Sequence, residues 1–199
     1  MFTLSSKHDR RNSCLAGIQL ALVLFIFLLT QPCWADTTSL HWKVLTFLNE
    51  NALYTIDQYA RWLEKNIVYK ADESTDRWAD PLETLRKRSG DCEDFAFLSA
   101  EVLRTFGYQP LVLAVGRGQN AHVICIFKRQ NVYYAFDNNQ LNKTNQTSLE
   151  AMARFFAHSM KAEFVLELSR HPNKVLPLYV IKETGEIVRF SGNTWLDHK

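Results

Sequence analysis

Apolar residues recur at helical spacing through the first part of the chain and at alternate positions through much of the rest. Leu40, Val44 and Leu48, then Ile56, Tyr59, Trp62 and Leu63, fall three or four apart, which predicts helices over 40–48 and 56–67. Asp80-Pro81-Leu82-Glu83 has the form of a helix start, with Asp80 as N-cap, Pro81 in the first turn and Glu83 reaching back. That helix stops by Gly90. The next opens around Cys92, turns Phe95, Leu98, Val102 and Leu103 inward, and ends at Gly107. Beyond Gly107 the pattern shortens to strands over 111–115, 121–127 and 132–137, the last two joined by a tight turn near Arg129-Gln130. Ser148 caps a further amphipathic helix through Met152, Phe155 and Phe156. Strands over 163–168, 176–181 and 186–190 close the chain, with Thr184-Gly185 turning the last pair. Helices first and an antiparallel sheet second predict an α+β domain.

The N-terminus reads as an address. Lys7, Arg10 and Arg11 precede an apolar run from Leu15 to Leu29, and Pro32-Cys33-Trp34-Ala35 follows. A basic start, a short apolar core and small residues at 33 and 35 describe a secretory signal peptide over 1–35, cleaved after Ala35. The run is shorter than the ~20 residues needed to span a bilayer. An uncleaved anchor is the alternative, and it is the one expected route to a membrane. Residues 36–199 then form a single domain, periplasmic or secreted. Removing Lys7, Arg10, Arg11 and Asp9 from totals of 23 basic and 21 acidic residues leaves 20 of each. Such a balance, with no basic run, gives no electrostatic footprint for nucleic acid.

Two cysteines remain after position 35, Cys92 and Cys125. In an exported protein they could form a disulfide. Against this, strand alternation sets His122 and Cys125 on opposite faces, so if His122 faces Cys92 then Cys125 faces away. Cys92 sits where a glycine-ended loop enters a helix, and a helix N-terminus favours a thiolate. As a structural alternative, free cysteine is often a small buried apolar residue. Asp91, Glu93 and Asp94 crowd it. Acids in a first turn offset the helix dipole, but nearby anions raise a thiol pKa, so an imidazolium, the helix end or a bound cation must compensate. His122 lies on a predicted strand at the mouth of a hairpin. Asp137 ends the neighbouring strand and can be its cross-strand partner, or simply a turn-forming acid before Asn138-Asn139. The order Cys92, His122, Asp137 suits nucleophile, base and orienting carboxylate.

These residues resemble the transglutaminase-like superfamily, and more narrowly the exported bacterial transglutaminase-like cysteine proteinases. The likeness runs from Arg77-Trp78-Ala79-Asp80-Pro81-Leu82-Glu83-Thr84-Leu85 through Gly90-Asp91-Cys92-Glu93-Asp94-Phe95-Ala96 to His122 and Tyr133-Tyr134-Ala135-Phe136-Asp137. It implies a papain-like core with Cys92 as nucleophile, His122 as base and Asp137 as its orienter. It also implies calcium, held by Asp91 and Glu93, with main-chain carbonyls, waters or another acid such as Asp94 completing the shell. The segment between the cysteine and the histidine departs from those proteinases, which carry a longer and different one.

The expected function is an exported cysteine hydrolase that cleaves peptide or isopeptide bonds of a protein or peptide substrate through a thioester. The Cys92 amide faces the developing oxyanion, and the Trp78 indole N–H is a candidate second donor, with core packing as its alternative reading. Two other classes stay open: a transglutaminase or other acyl transferase, and a non-catalytic binding domain on the same fold.

Overall fold

In the computed structural model, the described residues are 34–72, 77–169, 174–182 and 184–189. All but the end of the expected signal segment, and Phe190 of the last expected strand, lie outside them. The chain divides into two compact units, residues 1–40 and 41–199. Among the described residues no helix is long and apolar enough to cross a membrane.

Helix α1 (Trp34–Glu50) comes first, and α2 (Ile56–Asn66) starts where Thr55 accepts from the Gln58 amide as N-cap. The buried stripe of α2 is Ile56, Tyr59 and Leu63. A two-residue strand, β1 (Val68–Tyr69), follows. Helix α3 (Pro81–Lys87) begins as expected, with the Asp80 side chain accepting from the Leu82 amide. Its Glu83, expected to reach back over the first turn, pairs with Lys87 at 2.6 Å and Arg77 at 2.7 Å. Arg88 ends α3 in the left-handed region and lays its guanidinium over Trp62, 4.7 Å from the ring centre. Strand β2 (Ser89–Gly90) then runs parallel to β1, pairing Val68 with Ser89 and Tyr69 with Gly90. Helix α4 (Cys92–Thr105) starts immediately afterwards and is the most buried helix described.

The remaining strands build one antiparallel sheet: β3 (Leu111–Arg117), β4 (Asn120–Arg129), β5 (Val132–Asp137), β6 (Gln140–Lys143), β7 (Phe164–Ser169), β8 (Lys174–Ile181) and β9 (Ile187–Arg189). Helix α5 (Leu149–Met160), capped by Ser148, lies between β6 and β7 in sequence. The strand order is β6-β5-β4-β3-β7-β8-β9. The step from β6 to β7 returns the chain to the far side of β3, and α5 covers one sheet face during that crossing. Leu113, Val115, Ile124, Ile126 and Ala135 point to that face and pack on Met152, Ala153 and Phe156 of α5. The opposite face meets α2 and α4. There Phe136 packs on Tyr59, and Phe127 stacks on Phe136 and Tyr134. The α+β architecture expected from the sequence is the one observed.

One expectation fails here. Cys125 is paired across strands with Phe136 and senses Arg104 of α4 and Tyr59 of α2, so it faces the Cys92 helix side of the sheet. The alternation argument was sound, but it assumed that the cysteine helix and the histidine must share a face.

Candidate active site

The Gly90–Asp94 segment folds as a tight joint. Asp91 is the N-cap of α4, its carbonyl taking the Phe95 amide at 3.1 Å, and Cys92 is the first helical residue. Three residues after the cap, the Asp94 carboxylate turns back to accept from the Asp91 amide and, at 2.7 Å, from the Ala79 amide. This is one half of a capping box, and it also ties the 77–80 segment to α4. The fold-back fills the space over Gly90: a Cβ there would lie 2.6 Å from the Asp94 Cβ and 2.7 Å from Oδ2. The glycine is therefore required by close approach. Burial pushes Asp94 upward in pKa despite those amides. Its expected part as a spare cation ligand is secondary to this structural one. The Asp91-x-x-Asp94 spacing was the sequence signal for it.

Cys92 presents a half-buried sulfur. Its thiol donates to Glu93 Oε2 at 3.2 Å and its sulfur accepts from the Val123 amide. Burial first, then Glu93 and Asp91, push the thiol up to about 12, with the Val123 amide opposing them. Asp91 and Glu93 are 8% and 5% exposed, so their influence is exerted with little solvent screening. Strand amides point along the sheet plane. An acceptor for Val123 consequently sits at the sheet margin where β5 has ended, while the register sets His122 with Ile124 on the face that α5 covers.

His122 and Asp137 meet as the strand register allows. Ile124 pairs with Asp137, so His122, two residues earlier, is its diagonal neighbour on one face. His122 Nε2 lies 2.7 Å from Asp137 Oδ1. The contact lowers the Asp137 pKa, against the opposing effect of burial. With Nε2 occupied, Nδ1 is the ring atom left for another partner. The structure thus joins His122 to Asp137 and sets the Cys92 sulfur on the residue next to His122. It forms no direct hydrogen bond between sulfur and imidazole. Cys92 and Cys125 are both free thiols, so the disulfide alternative is not what the fold contains.

Trp78 packs its ring on Phe97 of α4, centroids 5.3 Å apart. That contact fits the core-packing alternative. Sequence reasoning missed Tyr69. It pairs with Gly90 across β1–β2, and its phenol is pushed upward by burial and then by Cys92, Asp91 and Glu93, which puts it beside the first turn of α4. A two-residue strand carries no periodicity that could have announced it. Among the described residues no three His, Cys, Asp or Glu side chains converge as a metal cage.

A family model described as a transglutaminase-like domain matches residues 34–155, more than half of the chain. No curated protein matches it. Similar solved structures include a Cytophaga hutchinsonii protein proposed to be a cysteine protease, 21% identical, TM-score 0.34, covering 43% of this chain and 32% of that one. LapG of Legionella pneumophila is 19% identical, TM-score 0.36, with 63% and 62% covered. A calcium-bound LapG structure is 21% identical, TM-score 0.35, with 70% of each chain covered. The chain spans about a third of the first of these structures and under two thirds of the second. On the family match, this chain belongs to the transglutaminase-like domain family.

Proposed function

We propose that the chain is an exported cysteine hydrolase of peptide or isopeptide bonds, with Cys92 as nucleophile, His122 as base and Asp137 as the carboxylate that orients it. One observation carries the reading: a thiol at the first residue of a helix rests on the amide next to a histidine whose far nitrogen is held by a carboxylate. Export rests on residues 1–35 as read from the sequence.

The chemistry follows from the positions. Asp137 fixes Nε2 as the protonated ring nitrogen, which leaves Nδ1 basic. The high thiol pKa means that little thiolate exists beforehand, so the proton passes to Nδ1 as the sulfur attacks the carbonyl. The first amides of α4 have no acceptor within the helix, and the Cys92 amide would stabilise the developing oxyanion. Collapse expels the amine with the proton from His122 and leaves a thioester on Cys92. Water, activated by the same imidazole, releases the acid.

Asp91 and Glu93 offer the hard oxygen donors that calcium takes, and two buried carboxylates side by side are electrostatically eased by a cation. They supply part of a shell of 6–8 oxygens, and main-chain carbonyls and waters must supply the rest. Bound there, calcium would offset the two anions that raise the thiol pKa. The test is hydrolysis of a dye-labelled unfolded polypeptide, in calcium and in chelator, by wild type and Cys92→Ala. Cleavage abolished by Cys92→Ala supports the reading. Incorporation of a labelled amine into a glutamine peptide, in place of cleavage, would replace it with acyl transfer. A melting temperature unmoved by chelator removes calcium.

A further inference from the structure

The Tyr69 side chain stands beside the first turn of α4, and the mechanism leaves it unused. Its strand is fixed to the cysteine loop: the Val68 amide donates to the Arg88 carbonyl at 2.9 Å and the Lys70 amide to the Gly90 carbonyl at 2.8 Å. Tyr69 is thereby the register partner of Gly90, two residues before Cys92. Register partners on neighbouring strands send their side chains to the same face, and the next residue along sends its own to the other. That face is identified at Gly90, where an added Cβ would run into the Cβ of Asp94 in the first turn of α4. Tyr69 therefore projects its ring to the α4 side of β1–β2, and Val68 projects away from it. The surroundings of the phenol agree, since after burial the groups that raise its pKa are Cys92, Asp91 and Glu93. The residue is still 52% exposed, so an incoming substrate can reach it.

Attack by the sulfur moves negative charge onto the carbonyl oxygen, and preorganised donors stabilise that charge. Asp91 and Glu93 set acidic groups beside the reacting carbonyl, which disfavours a further anion and raises the need for donors. The Cys92 amide supplies one. The Trp78 indole, the other candidate, packs on Phe97. A phenol is a neutral O–H donor at physiological pH, and this one shares the α4 side of the joint with the sulfur.

We propose that the Tyr69 hydroxyl is the second hydrogen-bond donor to the oxyanion formed on the carbonyl that Cys92 attacks. The inference rests on Cys92 acting as nucleophile and completes that site. As the sulfur–carbon bond forms, the carbonyl π pair moves onto oxygen and the thiol proton goes to His122. The phenol keeps its own proton throughout.

The experiment compares two reactions of the Cys92 sulfur in the full chain. Acylation by p-nitrophenyl acetate passes through a tetrahedral oxyanion and releases p-nitrophenolate. Alkylation by iodoacetamide displaces iodide at a saturated carbon and forms no oxyanion. Both need the thiol proton removed, so their ratio, each rate corrected by that of Cys92→Ala, isolates oxyanion stabilisation from thiol reactivity. Tyr69→Phe deletes the hydroxyl and keeps the ring at a half-exposed residue, a change the fold tolerates. Loss of one hydrogen bond to a charged acceptor corresponds to about a tenfold change or more. We expect the ratio to fall by about that factor in Tyr69→Phe, with the iodoacetamide rate unchanged. An unchanged ratio overturns the proposal and leaves the Cys92 reading intact. A fall in both rates together also overturns it, because the phenol would then act on the thiol. A ratio that falls in Trp78→Phe and not in Tyr69→Phe gives the role to the indole. Wild type that neither reagent modifies at Cys92, or that the ester does not acylate, overturns both readings together.

Discussion

Substitution of Gly90 by alanine probes the joint that presents Cys92. The added Cβ would stand 2.6 Å from the Asp94 Cβ and 2.7 Å from its Oδ2. The nearer atom is the root of a side chain fixed to the helix backbone, so it cannot swing aside. Relief requires α4 to shift away from β2, or the carboxylate to leave the amides of Ala79 and Asp91. A hydrogen bond to a charged acceptor contributes about 1.5–3 kcal/mol, and overpacking costs about 1–3 kcal/mol. Losing one amide bond and keeping some strain amounts to about 3 kcal/mol. For a domain of this size that lowers Tm by about 6–12 °C, readable by circular dichroism. Gly90 does not have a positive φ, so the loss is steric and should vanish when its obstacle does. In an Asp94→Gly background, Gly90→Ala should cost less than about 0.5 kcal/mol. A melting temperature for Gly90→Ala within 2 °C of wild type would refute the fold-back of Asp94.

Two further outcomes follow from the thiols and the carboxylate. Peptide mapping after iodoacetamide treatment should find Cys92 modified in the folded protein and Cys125 modified only in denaturant, because Cys125 is fully buried and burial pushes its thiol upward; a disulfide between them would contradict the fold. Asp137 has a folded pKa below its unfolded value of about 3.9, so the His122 contact stabilises fully above that value and is lost as pH falls through the folded one. The Tm gap between wild type and Asp137→Asn should therefore be widest near neutrality and close below about pH 4. Asp137 is half exposed, which holds the gap to at most about 1 kcal/mol; a gap that widens on acidification would reverse the assignment.

How much of this was legible in the sequence depended on whether a residue's role was periodic. Phe95, Leu98, Val102 and Leu103 announced α4, and Ala121-His122-Val123-Ile124-Cys125-Ile126-Phe127 announced β4, because burial on a helix stripe or in a sheet repeats along the chain. Gln140-Leu141-Asn142-Lys143 did not announce β6: it is an edge strand with little buried surface, held by pairing to β5. Strands β1 and β2 were silent for the same reason at shorter length. Ser148 and Asp80 were read correctly as caps, while Asp94 was read as a dipole-offsetting acid, since a carboxylate's partner amide at Ala79 lies fifteen residues away. The facing of Cys125 was misjudged because alternation fixes relative orientation and says nothing of which helix covers which face. The contact between His122 and Asp137 was reachable from strand pairing, as the register shows.

The central claim is that His122, held by Asp137, takes the proton of the Cys92 thiol. The direct measurement is the rate of Cys92 alkylation by iodoacetamide at pH 7.5, in wild type and in His122→Ala. General-base assistance of this kind contributes about 10²-fold or more, so the account predicts that His122→Ala slows alkylation about a hundredfold across the pH profile, since burial and the neighbouring carboxylates push the thiol up to about 12 even with the imidazole in place. Equal rates in the two proteins across that profile would contradict it.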